Sequence, residues 1–316
     1  MSKASKRDLH GIVLLDKPEG LSSNAAMQRV KRLFGARKAG HGGSLDPLAT
    51  GLLPVCFGRA TRVAAYLLDA AKGYETDCEL GTKTSTGDKE GEVTSRRPVP
   101  ELSEADIREA LRALTGNIKQ IPPMYSALKH QGKRLYQLAR SGVEVERPPR
   151  EVTIHEFELI GRDKHTLTLK VRCSKGTYIR TLVEDLGEIL GCGAHVARLR
   201  RTLVEPFAVD RMCTFEQLEQ AREAGDTALD AYLLPADSAL VGMPALHLDR
   251  ETAVRLSHGQ RARIEPATAE SGLHRLYGPG GRFIGIGMQD DEGCLKIHRL
   301  LGNPEEIRSL GNERSA

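Results

Sequence analysis

Residues Gly40-His41-Gly42-Gly43-Ser44-Leu45-Asp46-Pro47-Leu48-Ala49-Thr50-Gly51 put four glycines and a proline into twelve positions. Glycine costs backbone entropy and proline removes a donor, so this stretch is neither a helix interior nor a central strand. It reads as a loop with a special path, or one whose backbone comes close to something else. Its single acid, Asp46, follows a basic flank of Arg29, Lys31, Arg32, Arg37 and Lys38, with His41 five positions before it. One carboxylate on a glycine-rich loop in basic surroundings points to a reactive acid that meets a polyanion.

The flanks give this loop a scaffold. Gly11–Asp16 is an apolar run that reads as a buried strand, and Ser22 or Ser23 caps a helix over about 24–34, stopped by Gly35. Leu52–Phe57 is a second strand, Ala60–Leu68 a helix, and Tyr74, Thr76, Cys78 and Leu80 alternate with acids as a half-buried strand. Ser103 with Asp106 forms a capping box ahead of Gly116. Val152–Ile160 and Leu167–Cys173 alternate as two strands, paired across Gly161-Arg162-Asp163. Ser174–Thr177 leads into a helix through Leu190, and Thr214 with Gln217 opens another. From about Pro235, short strand-like pieces alternate with Gly and Pro. Segregated and alternating elements together indicate an α+β fold, not a doubly wound one.

A chain of 316 residues that is 40% apolar supports one large core and a smaller module. The net charge of +4 identifies no partner, but its clustering does more. Lys129–Arg150 and Arg198-Leu199-Arg200-Arg201 are candidate phosphate contacts alongside the flank of Asp46. The six cysteines form no CxxC pair and suit free thiols in a reducing compartment. Cys192 and His195 lack a second pair, so no metal site is expected. The polar, basic residues 1–10 are no secretory signal, and no apolar run is long enough to span a membrane. Gly81–Gly91 holds Gly and Lys-Thr, but not in phosphate-loop order.

Taken together, GHGGSLDPLATG, LLDKP (Leu14–Pro18), IPPMYSALK (Ile121–Lys129), CSKGTYIR (Cys173–Arg180) and LGCGAHVARLRR (Leu190–Arg201) resemble, in order, the bacterial TruB-type tRNA pseudouridine-55 synthases. The resemblance implies a pseudouridine synthase fold: a mixed or antiparallel central sheet with flanking helices, plus a small C-terminal β-rich PUA-like domain. The domain reading is a flexible basic tail over 1–10 and a catalytic domain over 11–235, with an RNA-gripping insertion at about 124–150. A PUA-like RNA-binding domain follows over 236–302, then a polar tail over 303–316. One departure from the family pattern is Gly42-Gly43-Ser44 in place of Thr-Gly-Ala/Ser, and both forms suit a tight loop.

The implied activity is isomerisation of uridine to pseudouridine at position 55 in the tRNA T loop. The C1′–N1 bond breaks, the uracil turns over, and C5 bonds to C1′. Asp46 matches the catalytic nucleophile. Arg180 matches the arginine that pairs with it and keeps it ionised. Tyr74 matches the active-site tyrosine, stacking on uracil and able to take part in proton transfer. The target base must leave its stack, and His41 matches the residue that fills the vacancy. Tyr178 and Leu199 match pocket-lining positions. Lys129, Lys133, Arg134, Arg147 and Arg150 fall in the RNA-gripping segment as phosphate contacts. The reading needs no cofactor, metal, membrane or obligatory protein partner, and expects a cytoplasmic monomer acting on the tRNA T arm. Two alternatives remain open at this point: a tRNA-folding RNA-binding protein with secondary catalysis, and a guide-RNA-dependent synthase subunit.

Overall fold

The computed structural model describes residues 6–126, 128–264, 271–303 and 307. In chain order, β1 (Gly11–Lys17), α1 (Ser23–Leu33), β2 (Ala39–His41) and β3 (Thr50–Phe57) precede α2 (Ala64–Asp69) and β4 (Lys72–Leu80). A small hairpin of β5 (Thr82–Thr84) and β6 (Val93–Arg96) leads to α3 (Glu104–Ala113) and β7 (Gly116–Gln120). A second hairpin, β8 (Lys129–His130) and β9 (Lys133–Arg134), carries α4 (Leu135–Arg140). Then come β10 (Arg150–Asp163), β11 (Thr166–Cys173), α5 (Ile179–Ile189), β12 (Ala194–Val204), β13 (Phe207–Ala208), α6 (Phe215–Glu223) and α7 (Asp226–Asp230). The last part is β14 (Ala245–His247), α8 (Arg250–Ser257), β15 (Ala262–Arg263), β16 (Gly272–Tyr277), β17 (Phe283–Gln289) and β18 (Cys294–Leu300).

The main sheet runs β1-β3-β12-β4-β11-β10-β7, with β2 on β3 and β13 on β12. Its pairings are antiparallel except β12 with β3, where Arg200 faces Thr50 and Arg201 faces Gly51 in parallel register. That one parallel pairing makes the sheet mixed, and it brings β12 against the end of the glycine-rich loop. Two cores form. One packs Leu45, Leu48 and Ala49 of the loop with α3, α5 and strands β4, β10, β11 and β12. The other packs α1 and α6 against β1 and β3. A third cluster joins Ile12, Leu14 and Leu52 of this domain to Ile286 and Leu301 of the second, five-stranded sheet. Arg59 Nη1 donates to the Gly302 carbonyl at 3.4 Å, and Arg62 donates to that of Leu300. The C-terminal module is therefore docked through a shared apolar core, not tethered.

The expected strands and capped helices form, with instructive differences. The hairpin turn falls at Lys164-His165, because β10 continues through Asp163 over a bulge between Leu159 and Gly161. Ala60–Leu68 splits into a 3-10 turn over Gly58–Arg62 and the short α2. The stretch after Gly193 is β12, a central strand that its charged alternate positions conceal. The C-terminal module also contains α8, capped by Asp249 and buried through Ala253 and Leu256. Of the flexible basic tail expected over 1–10, the described part from Lys6 on is fixed through Arg7, which bridges to Ala36 and pairs with Asp230. Residues 1–5, and all of 303–316 except Asn303 and Ile307, lie outside the described residues.

Candidate functional site

Burial on both sides of Asp46 pushes it outward. Leu45, Leu48 and Ala49 are buried, while the Asp46 carboxylate is 45% exposed. Ser23 Oγ accepts from the Leu45 amide at 2.6 Å, fixing the approach to Asp46. The ammonium of Lys17 donates to the carbonyls of Pro18 at 2.9 Å, Leu21 at 2.7 Å and Pro47 at 3.3 Å, fixing the exit. Burial pushes the Lys17 ammonium down to about 8, against the pull of Asp46. Two glycines are required sterically. A Cβ on Gly51, whose φ is +96°, would lie 2.3 Å from the Arg201 carbonyl, and one on Gly42 would lie 2.7 Å from Leu67 Cβ.

Arg180 lies in the first turn of α5, after Tyr178 at its cap. Its Nη2 sits 2.9 Å from Asp46 Oδ2. The rest of the guanidinium is fully engaged. Nη1 donates to the Thr86 carbonyl at 2.8 Å, Nη2 to the Tyr125 carbonyl at 2.7 Å, and Nε faces Asp88 Oδ2 at 3.7 Å. Asp88 is buried and held by the Thr86 hydroxyl at 2.6 Å and the Glu90 amide at 3.1 Å. The cation that faces Asp46 is thus 4% exposed, yet balanced by a second carboxylate. Gln120 locks the adjoining turn, since its amide accepts from the Tyr178 N–H at 3.1 Å and donates to the Tyr178 carbonyl at 3.3 Å.

Strand alternation sorts the basic run after Ala197. Leu199 faces Thr76 and Arg201 faces Tyr74 across β12 and β4, so these four side chains share the face that carries the Asp46 loop. Arg198 and Arg200 point the other way and pair with Asp77 at 2.6 Å and Asp16 at 2.7 Å. The expectation that Arg198, Arg200 and Arg201 form one phosphate-binding cluster is therefore corrected: two are paired and Arg201 is buried. Arg29 of the other basic flank is also committed, to Glu219 at 2.7 Å and to the face of Phe215.

The space beside the half-exposed Asp46 carboxylate is the cleft of this site: Arg180 meets Asp46, Tyr74 and Tyr178 lie within reach of its charge, and Leu199 packs in one core with Leu45 of its loop. Burial pushes the Tyr74 hydroxyl up to about 12, against the opposing pull of the Arg201 guanidinium. Burial also raises the Tyr178 hydroxyl, and Asp46 raises both phenols further. His41 sits on β2 with its ring half-buried; burial and then Arg201 lower its pKa, so the imidazole is neutral at pH 7. Lys129, Lys133, Arg134 and Arg150 are exposed, and Arg147 pairs with Glu144 at 3.3 Å. A groove of about 560 Å³ lined by Arg150, Ser174 and Lys175 runs beside the Tyr178 turn. Sequence reasoning missed Lys17, Asp88, Gln120 and the role of Arg201. Lys17 stood inside the quoted LLDKP run, and period-2 alternation separates Arg201 from its neighbours.

Comparisons with known proteins match this layout. The model described as "TruB family pseudouridylate synthase (N terminal domain)" matches residues 31–179. "tRNA pseudouridylate synthase B C-terminal domain" matches 180–241, and "Pseudouridine synthase II TruB, C-terminal" matches 244–301. The tRNA pseudouridine synthase B of Ectopseudomonas mendocina is 53% identical over 300 residues, covering 95% of this chain and 97% of that protein. That of Pasteurella multocida is 49% identical over 304 residues, covering 95% and 99%. Among solved structures, a chain of a Cbf5-Nop10-Gar1 complex superposes with a TM-score of 0.74 at 24% identity, covering 94% of this chain and 87% of that one, a likeness of fold.

Proposed function

The chain belongs to the TruB family of pseudouridylate synthases, and from that premise we propose that it acts at uridine 55 of the tRNA T loop through Asp46, Arg180 and Tyr74. The reaction is an isomerisation, conversion of uridine in tRNA to pseudouridine. The observation that carries the residue assignment is the contact of Arg180 Nη2 with Asp46 Oδ2 at 2.9 Å, made by a guanidinium already anchored on two backbone carbonyls. An arginine held in this way cannot follow the carboxylate if it swings, so Asp46 stays aimed. Asp46 is then the nucleophile, half-exposed toward incoming RNA while its backbone is bolted down on both sides.

Tyr74 and Leu199 share one face beside Asp46, which supports a uracil sandwiched in the cleft with Tyr178 at its edge. Taking the base out of its stack costs a few kcal/mol. A neutral His41 ring suits the vacancy, because it can stack without shedding the hydration of a cation. Lys129, Lys133, Arg134, Arg147 and Arg150 hold phosphates, and these contacts position RNA without reading its sequence. In this reading residues 124–150 grip the RNA directly, and the chain acts without an obligatory protein partner, as a cytoplasmic monomer. Among the described residues no helix is long and apolar enough to cross a membrane.

Incubating the purified chain with unmodified tRNA and mapping pseudouridine tests this reading. Modification at position 55 alone, lost in Asp46→Asn, is expected. Modification elsewhere, or an Asp46→Asn variant working at the wild-type rate, would refute it.

A further inference from the structure

Arg201 is the largest fully buried side chain among the described residues, 1% exposed, and it forms no ion pair with a carboxylate among them. Burying a cation without such a partner is costly unless its hydrogens are satisfied. Here carbonyls satisfy them. Nε donates to Leu52 at 2.7 Å, Nη1 to Ser44 at 3.3 Å and Nη2 to Gly43 at 3.2 Å. All three carbonyls belong to the loop of Asp46 or the strand that leaves it. Arg201 also stands directly opposite Tyr74 across the β12–β4 ladder, near enough for its charge to act on the Tyr74 hydroxyl. Its field reaches Lys17, His41 and Lys72 as well, lowering the pKa of each. One buried side chain therefore touches both the loop that aims Asp46 and the phenol on the opposite wall.

We propose that Arg201 is a positioning residue that sets Tyr74 and the Asp46 loop in register and turns the Tyr74 hydroxyl proton toward the substrate. The direction follows from valence. A guanidinium has five N–H donors and no acceptor, so toward Arg201 the phenolic oxygen can only accept. Its proton is left to point into the cleft. The neighbours agree: the other groups acting on the phenol are Asp46 from the loop and Cys173 from β11, and both oppose its ionisation. Lys72, on the same strand, is turned away to the carbonyls of Leu68 and Ala70, each at 2.6 Å. A lysine in place of Arg201 would keep the charge but not the fork, and could not bind three carbonyls while facing a fourth group.

This inference rests on the assignment of Asp46 and Tyr74 to the site, and a double-mutant cycle on the full chain tests it separately. Single-turnover rate at saturating T-arm RNA and RNA affinity are measured for wild type, Arg201→Lys, Tyr74→Phe and the double variant, with circular dichroism on each. Arg201→Lys is expected to lower the rate about 100-fold with affinity within about threefold, a loss of ~2.7 kcal/mol in the barrier. In the Tyr74→Phe background, which has no hydroxyl to orient, the same substitution should cost about tenfold or less. Equal factors in the two backgrounds would overturn the proposal, as would a loss confined to affinity. If neither Arg201→Lys nor Arg201→Gln keeps the wild-type spectrum, Arg201 serves folding alone and the proposal is wrong. An active Asp46→Asn variant would instead refute the site assignment.

Discussion

The cleft floor and the segment 124–150 are both rich in cations, and they treat them in opposite ways. Arg180 and Arg201 are 4% and 1% exposed, and each is held by several carbonyls. Lys129, Lys133 and Arg134 stand exposed on a hairpin of two-residue strands, and Arg147 has a local partner three residues away. A buried, fully bonded guanidinium has one position, which suits a reaction that needs a carboxylate aimed at one carbon. An exposed lysine has many, which suits phosphates whose positions vary between tRNAs. Under the proposed function the contrast is expected to divide the labour: the floor setting the rate, the segment setting affinity and its dependence on salt.

The largest expected effect lies in the floor. Arg180→Lys keeps a charge but gives up the fork that spans Asp46, Thr86 and Tyr125, and it leaves Asp88 facing a mobile ammonium. A misplacement of about 1 Å at a reacting group costs about 100-fold, so the single-turnover rate at saturating RNA should fall by about that factor or more. Affinity should hardly change. A loss of affinity with the rate intact would erase the division between the two regions.

Gln120 sharpens the comparison because it stands on the border. It ends β7, precedes Ile121-Pro122-Pro123 at the root of the segment, and clamps the Tyr178 peptide at the mouth of the cleft. Gln120→Leu keeps the bulk but leaves two backbone groups without partners, at ~1–3 kcal/mol. Rate and affinity should then both fall, by about tenfold together. A change in only one would assign Gln120 wholly to one region.

The third effect is smaller and confined to the segment. Replacing Lys129, Lys133 and Arg134 together by alanine should weaken tRNA binding several-fold and flatten the salt dependence of affinity by roughly one unit per lost phosphate contact. The saturated rate should stay within twofold. An unchanged salt slope would mean that these cations do not meet phosphate.

How much of this was legible in sequence follows the same divide. Asp46 and Arg180 stand in motifs whose residue types announce chemistry, and their 2.9 Å contact is what those motifs lead one to expect. The capping boxes of α3 and α6 are local, and the sequence displays them. Lys17, Gln120 and Arg201 each act on backbone groups of at least one distant segment, and a backbone group has no letter in the sequence. Arg201 even carried the wrong signal: in a run with Arg198 and Arg200 it looked like a phosphate contact. Only its pairing opposite Tyr74 in β12 shows that it faces inward. Asp88 was concealed likewise, in a turn-rich stretch with no periodic pattern.

The smallest effect concerns stability against pH, and it belongs to the floor and the cores. Lys17 and Lys72 are held down to about 8 by burial, whereas the unfolded chain keeps these protons to ~10.4. The unfolded state therefore binds more protons from pH 8 upward, and stability rises there. Five buried thiols act in the opposite sense. Burial raises Cys56 and Cys213 to about 12 and Cys173 to about 11, and it raises Cys78 and Cys192 as well. Unfolded thiols ionise near ~8.5, so above that pH the unfolded state binds fewer protons at these five positions and more at the two lysines. The thiols outnumber the lysines, so the balance turns to a loss of stability as pH rises further. Urea midpoints should rise slightly from pH 7 to 8.5 and fall clearly by pH 10. Lys72→Met should remove part of the rise, while the Lys129, Lys133 and Arg134 alanine variant should trace the wild-type curve. A curve altered by that segment variant would show that the exposed cations, too, are bound into the fold.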